Sequence, residues 1–210
     1  MTEEHDIDEG TKIFTDGSGH DGHAGTVAVI PRTNGQHKVM HYHLGELVQH
    51  TVYECELVGL LLASKLIRHN PSIPKPFHIF LNNQVAIKAP LRIVTRSGQQ
   101  LVQAIYLALC KPCPPEIYLH WIVGHEGILG NELMDEHTKC AAAGESSPQN
   151  QLPTLLHKAL LPNPVALQQE HLTQLKKQWK SLRSASLCFL RLQAYGLLPS
   201  PAFLSLLQGM

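Results

Sequence analysis

The hydrophobic period first changes near residue 50, from strands to a helix, and no other feature narrows the possible folds as far. Before that point the chain reads in twos. Residues 11–16 (TKIFTD) form a strand ending on a carboxylate, Gly17, Gly19, Gly22 and Gly25 punctuate a turn, and residues 26–30 form a second strand. Asn34-Gly35 is a strong short hairpin signal, and Met40, Tyr42 and Leu44 alternate with polar neighbours in a third strand over 37–44. After it helices alternate with strands. Thr51 and Glu54 have capping-box spacing, and Tyr53, Leu57, Leu60 and Leu61 share one face of a helix that runs to about Arg68. Asn70-Pro71 ends that helix, and residues 77–81 (FHIFL) are a buried strand. Either Asn82 or Asn83 can cap the short helix that Pro90 then interrupts. A further helix spans 98–110, Pro112, Pro114 and Pro115 break the chain, and residues 116–122 form the last strand. Gly130-Asn131 opens a helix to about Ala143, closed by Gly144. The order β-β-β-α-β-α-α-β-α predicts an α/β domain: a five-stranded mixed sheet, antiparallel meander first and parallel strands after, flanked by helices.

Four segments follow from this reading. Residues 1–10 are an acidic N-terminal segment and 11–144 the folded domain. Residues 145–163, rich in Pro, Ser and Gln, read as a linker, and 164–210 as a helical basic tail. In that tail Asn163 caps a helix with Pro164 in its first turn, and Leu172, Leu175, Trp179 and Leu182 stripe one face. A chain ending near Gly144 is therefore expected to fold alone.

Composition excludes some partners and compartments. Seventeen basic residues balance seventeen acidic ones, which argues against nucleic-acid binding by electrostatics alone. The balance is uneven: residues 1–150 carry 16 acidic and 11 basic side chains, residues 151–210 one acidic and six basic. Five cysteines, an odd and scattered set, point to a reducing compartment, nuclear or cytoplasmic rather than secreted. Cys110 and Cys113 have the spacing of half a zinc site, but with no second pair they read as ordinary thiols. The acidic start is the opposite of a signal peptide, and the longest apolar run, Leu57 to Ala63, is too short to cross a membrane.

Three carboxylates stand near element ends: Asp16 at the end of the first strand, Glu56 early in the first helix, and Asp135 in the last helix, four residues after Asn131. His125 lies in a glycine-flanked loop. Taken singly each has an ordinary reading: a turn aspartate, an early helical acid, a loop histidine, a helix cap. The joint pattern is much less common. TDGSG at 15–19, VYECELVGLLLA at 52–63 and WIVGHEGILGNELMDEHTK at 121–139 resemble the type 1 ribonuclease H domain, in the right order over roughly residues 11–143. IFLNNQVAIKA at 79–89 is similar to the RNase H domain of fungal non-LTR retrotransposon polyproteins, and WKSLRS at 179–184 faintly resembles the segment that follows it there.

The resemblance implies an RNase H-like fold and hydrolysis of the RNA strand of an RNA–DNA hybrid. It implies two Mg²⁺ ions, or Mn²⁺, roughly 3.5–4 Å apart, held by hard carboxylate oxygens. Asp16 would bridge both ions, Glu56 would serve the leaving-group side and Asp135 the nucleophile side. His125 would move a proton or aid product release, and Gly17, Ser18 and Asn131 would meet the substrate. His20, His23, Lys88, Arg92, Arg96 and Trp121 are further candidate contacts. One position departs from the family pattern. Its third carboxylate falls on Asn82, and residues 57–115 contain no Asp or Glu that could replace it. An amide brings no charge to a metal site, so two alternatives stand beside the hydrolase: a non-catalytic nucleic-acid or protein-interaction module, and a retroelement remnant.

Overall fold

β1 (Thr11–His20), β2 (His23–Ile30) and β3 (Lys38–Glu46) form an antiparallel meander. The computed structural model describes residues 9–32, 35–88, 98–110, 116–122, 129–187 and 191, the side chains at 110 and 129–133 excepted. β1 is longer than its sequence suggests, because the glycines at 17–25 do not make one turn. The β1–β2 turn is Asp21-Gly22 alone, with φ of 48° and 80°, the positive pair that a two-residue hairpin requires. Gly17, Gly19 and Gly25 lie inside strands. At Gly25 a Cβ would come within 2.3 Å of the Ala142 amide nitrogen, so glycine there serves close helix packing rather than a turn. Asn34 lies outside the described residues, although β2 and β3 pair as that hairpin signal predicts.

α1 (Val52–His69) then crosses to β4 (Phe77–Leu81), which pairs in parallel with β1. α2 (Gln84–Lys88) and α3 (Gln99–Cys110) lead to β5 (Ile117–Trp121), parallel to β4, and α4 (Leu129–Ala142) follows. The sheet order is β3-β2-β1-β4-β5, which puts β1 at the centre. Alternation along the strands builds two cores. Ile13, Ala28, Ile79 and Leu81 face α1 and α3, whereas Phe14, Val27, Val29, Phe80 and Ile122 face Met134 of α4. His41 Nε2 and His137 Nδ1, 3.1 Å apart, also tie β3 to α4.

The stretch read as a linker packs against the domain. The His43 and His41 amides donate to the Ser146 and Ser147 hydroxyls at 2.8 and 2.9 Å. Leu152 and Leu156, either side of the start of a 3₁₀ turn (Thr154–His157), are buried in the α1 core. The first compact unit ends at Leu167 and a second begins at Gln168. α5 (Pro164–Ala185) starts as its sequence suggests, with Asn163 Oδ1 accepting the Val165 amide at 2.8 Å. Leu172, Leu175, Trp179 and Leu182 are exposed on it. No helix among the described residues is long and apolar enough to cross a membrane.

Candidate active site

The site begins with the capping box of α1. Thr51 Oγ1 accepts the Glu54 amide at 3.3 Å, and Glu54 Oε2 accepts the Thr51 amide at 3.0 Å. That fixes the first turn and sets Glu56 just beyond it. Glu56 is 2% exposed because β1 comes very close to this turn. At Gly17 a Cβ would meet the Cys55 carbonyl carbon at 2.5 Å and the Glu56 nitrogen at 2.6 Å. Only a glycine lets strand and helix meet there, so Gly17 has a packing role whatever else it does.

Asp16 precedes that glycine. It lies in mid-strand opposite Val27 rather than at the strand's end, since β1 continues to His20. Its backbone oxygen accepts the Thr26 hydroxyl at 2.9 Å. Burial, and then the Asp16 carboxylate, push the Glu56 acid up to about 9. Glu56 Oε2 is buried and has no hydrogen-bond partner.

Asn82 and Asn83, indistinguishable as caps in the sequence, separate in the structure. Asn83 Oδ1 accepts the Val85 and Ala86 amides at 3.0 and 3.2 Å and is the α2 cap. Asn82 instead turns its Nδ2 toward Asp16 Oδ1 at 3.4 Å, and its backbone oxygen accepts the Trp121 indole N–H at 3.0 Å. Asp16, Glu56 and Asn82 thus form one group.

The other predicted residues are placed differently. Asp135 is half exposed on α4 and paired with Lys139 Nζ at 2.6 Å. Asn131 falls in the first turn of α4 rather than at its cap, because the helix already starts at Leu129; its side chain lies outside the described residues. His125, Arg92, Arg96 and Cys113 lie outside them too. Ser18 is half-buried on β1 opposite Gly25, His20, His23 and Lys88 are exposed, and Trp121 is half-buried. Among the described residues no three His, Cys, Asp or Glu side chains converge as a metal site.

The Asp16–Glu56 pair nevertheless fits a hard divalent cation. Both donors are carboxylates, they repel one another, and one buried oxygen has no partner. Sequence reasoning missed the Trp121 bond to Asn82, because the tryptophan read as a contact to substrate rather than to the site's own backbone. It also missed that Asn163, which read only as a helix cap, is buried.

This architecture is the ribonuclease H fold. The chain is similar to LC11-RNase H1, isolated from compost by a metagenomic approach, with a TM-score of 0.50 at 16% identity, over 64% of this chain and 96% of that one. It is likewise similar to LC11-RNase H1 in complex with an RNA/DNA hybrid, with a TM-score of 0.51 at 17% identity, over 63% and 96% of the two chains. No protein-family model and no curated protein matches the chain.

Proposed function

We propose that residues 11–167 bind an RNA–DNA hybrid and hydrolyse its RNA strand. The observation that carries this is the buried Glu56 carboxyl, unpartnered at Oε2 and set against Asp16, in a fold also seen in a ribonuclease H1 bound to a hybrid. A buried acid with no partner costs stability, and a divalent cation is the partner that suits two facing carboxylates. Asp16 and Glu56 would hold it. Bound there, Mg²⁺ or Mn²⁺ supplies positive charge for activating water and for stabilising the leaving oxygen. In this reading Asp135 exchanges its Lys139 partner for the nucleophile side of the site, His125 moves a proton, and Gly17, Ser18 and Asn131 meet the substrate backbone. The motifs at 79–89 and 179–184 support an origin in a non-LTR retrotransposon polyprotein, and the odd, scattered cysteines support a nuclear or cytoplasmic setting.

One observation favours a second reading. The Asn82 amide offers Asp16 a hydrogen-bond donor where the family pattern has a third acid. A site so altered suits a module that binds nucleic acid without cutting it. Cleavage of a labelled hybrid, measured with Mg²⁺ and then Mn²⁺ in the parent, Asp16→Asn and Asn82→Asp, separates the two. The hydrolase reading expects parent cleavage abolished by Asp16→Asn and raised at least about tenfold by Asn82→Asp. Tight hybrid binding with no cleavage in any variant supports the module, and failure to bind the hybrid at all overturns both.

A further inference from the structure

Asn163 is 3% exposed, which is unusual for an asparagine at a helix cap, and its groups point three ways. Its backbone amide donates to the Gln49 oxygen at 2.7 Å, just before α1. Its Oδ1 accepts the Val165 amide at 2.8 Å, which starts α5. Its side-chain amide lies by the carboxylate of Glu54 and helps hold that acid below its usual value. Glu54 is the reciprocal half of the capping box on which α1 begins, and its Oε2 also lies 3.6 Å from His50 Nδ1.

The first turn of α1 is therefore gripped from two sides. From the sheet, Gly17 brings β1 against the Cys55–Glu56 backbone. From beyond α4, the chain returns along β3 through Ser146 and Ser147, buries Leu152 and Leu156 in the α1 core, and ends on Asn163. Leu152 and Leu156 supply the apolar anchor, and Asn163 supplies the directional one. Only an amide suits this place. An aspartate would keep the acceptor for Val165 but set a second carboxylate against Glu54, and an alanine would lose the cap bond and the amide beside Glu54.

We propose that residues 145–167 are a strap belonging to the site, and that Asn163 is a positioning residue that holds the α1 first turn so that Glu56 stays opposite Asp16. The consequence for metal binding rests on the ribonuclease reading above, whereas the grip itself does not.

Two measurements on the full chain test it. Amide hydrogen exchange reads the grip. In Asn163→Ala, exchange at Glu54, Cys55 and Glu56 should quicken about tenfold, with Leu66 and Ile67 at the far end of α1 unchanged. Asn163→Asp, which keeps the α5 cap, should behave the same way. Leu156→Ala, which loosens the strap without touching the capping box, should not quicken the first turn selectively. An equal rise at both ends of α1, or none, overturns the grip. Calorimetric titration with Mn²⁺ reads the consequence. Asn163→Ala and Asn163→Asp should weaken binding about tenfold, the scale of lost outer-sphere support, while Leu156→Ala leaves it near the parent value. Unchanged affinity in the Asn163 variants overturns the positioning role. A parent that binds no Mn²⁺ overturns the ribonuclease reading instead, and the exchange data still decide the grip.

Discussion

Glu56 and Glu54, two residues apart on one helix turn, are driven in opposite directions by their surroundings. Burial and the Asp16 carboxylate push Glu56 up to about 9 from an ordinary 4.5. Burial also acts on Glu54, but the neighbouring His50, the bond from the Thr51 amide and the Asn163 amide outweigh it and hold that carboxyl below its usual value. The signs follow from linkage. At Glu56 the folded chain keeps a proton that the unfolded chain releases, so stability without metal should fall as pH rises from about 5 to about 9, by up to about 1.4 kcal/mol per pH unit. Glu56→Gln should remove that slope, which thermal melts in chelator across this range will show. Glu54 contributes stability above its unfolded pKa that is lost as pH falls through the folded value, so it steepens the acid limb instead. Asn82 belongs to the same scale. Asn82→Asp is nearly isosteric but replaces the amide donor to Asp16 with another carboxylate, so it should lower the metal-free melting temperature while strengthening Mn²⁺ binding.

At the scale of elements, the α1 cap and the strap carry the site. Thr51→Ala deletes one half of the capping box and should cost about 1 kcal/mol in urea unfolding. The strap is worth more. Fully burying a leucine contributes roughly 1.5–3 kcal/mol, and Leu152 and Leu156 are both buried in the α1 core. A chain ending at Gly144 should therefore be less stable than the parent by on the order of 3–6 kcal/mol. One ending at Leu167, where the first compact unit closes, should unfold at nearly the parent's urea midpoint. Equal stability of the two shortened chains would return residues 145–163 to the status of a linker.

For the whole molecule the governing quantity is charge. The chain is neutral, with 17 residues of each sign, so hybrid binding cannot draw on a large general attraction. Removing residues 168–210 takes away Lys176, Lys177, Lys180, Arg183 and Arg191 against a single acid, Glu170. Fluorescence anisotropy with a labelled hybrid should then show weaker binding and a salt dependence shallower by roughly one to three counterions. An unchanged slope would mean that the tail's cations take no part in holding the duplex.

Local patterns settled which elements form. The Thr51–Glu54 spacing started α1 where it starts, the FHIFL run became β4 without adjustment, and Pro164 began α5, because caps, apolar runs and proline act within a few residues. The chain order of strands and helices was enough to expect a mixed sheet with helices on both faces. What sequence could not distinguish were residues whose local meaning is the same and whose neighbours differ. A glycine reads as a turn, yet only Gly22 of the four at 17–25 turns the chain, while Gly17 and Gly25 make room for helix backbone. Asn82 and Asn83 are equally good caps, and only the sheet order that sets β4 beside β1 turns Asn82 toward Asp16. Residues 145–163 have the composition of a linker, yet their few apolar side chains and one buried asparagine find partners around α1, about a hundred residues earlier in the chain. Elements answer to forces between neighbours in sequence. The burial of Glu56, the direction of Asn82 and the grip of Asn163 answer to forces between neighbours in space, which exist only once the sheet has formed.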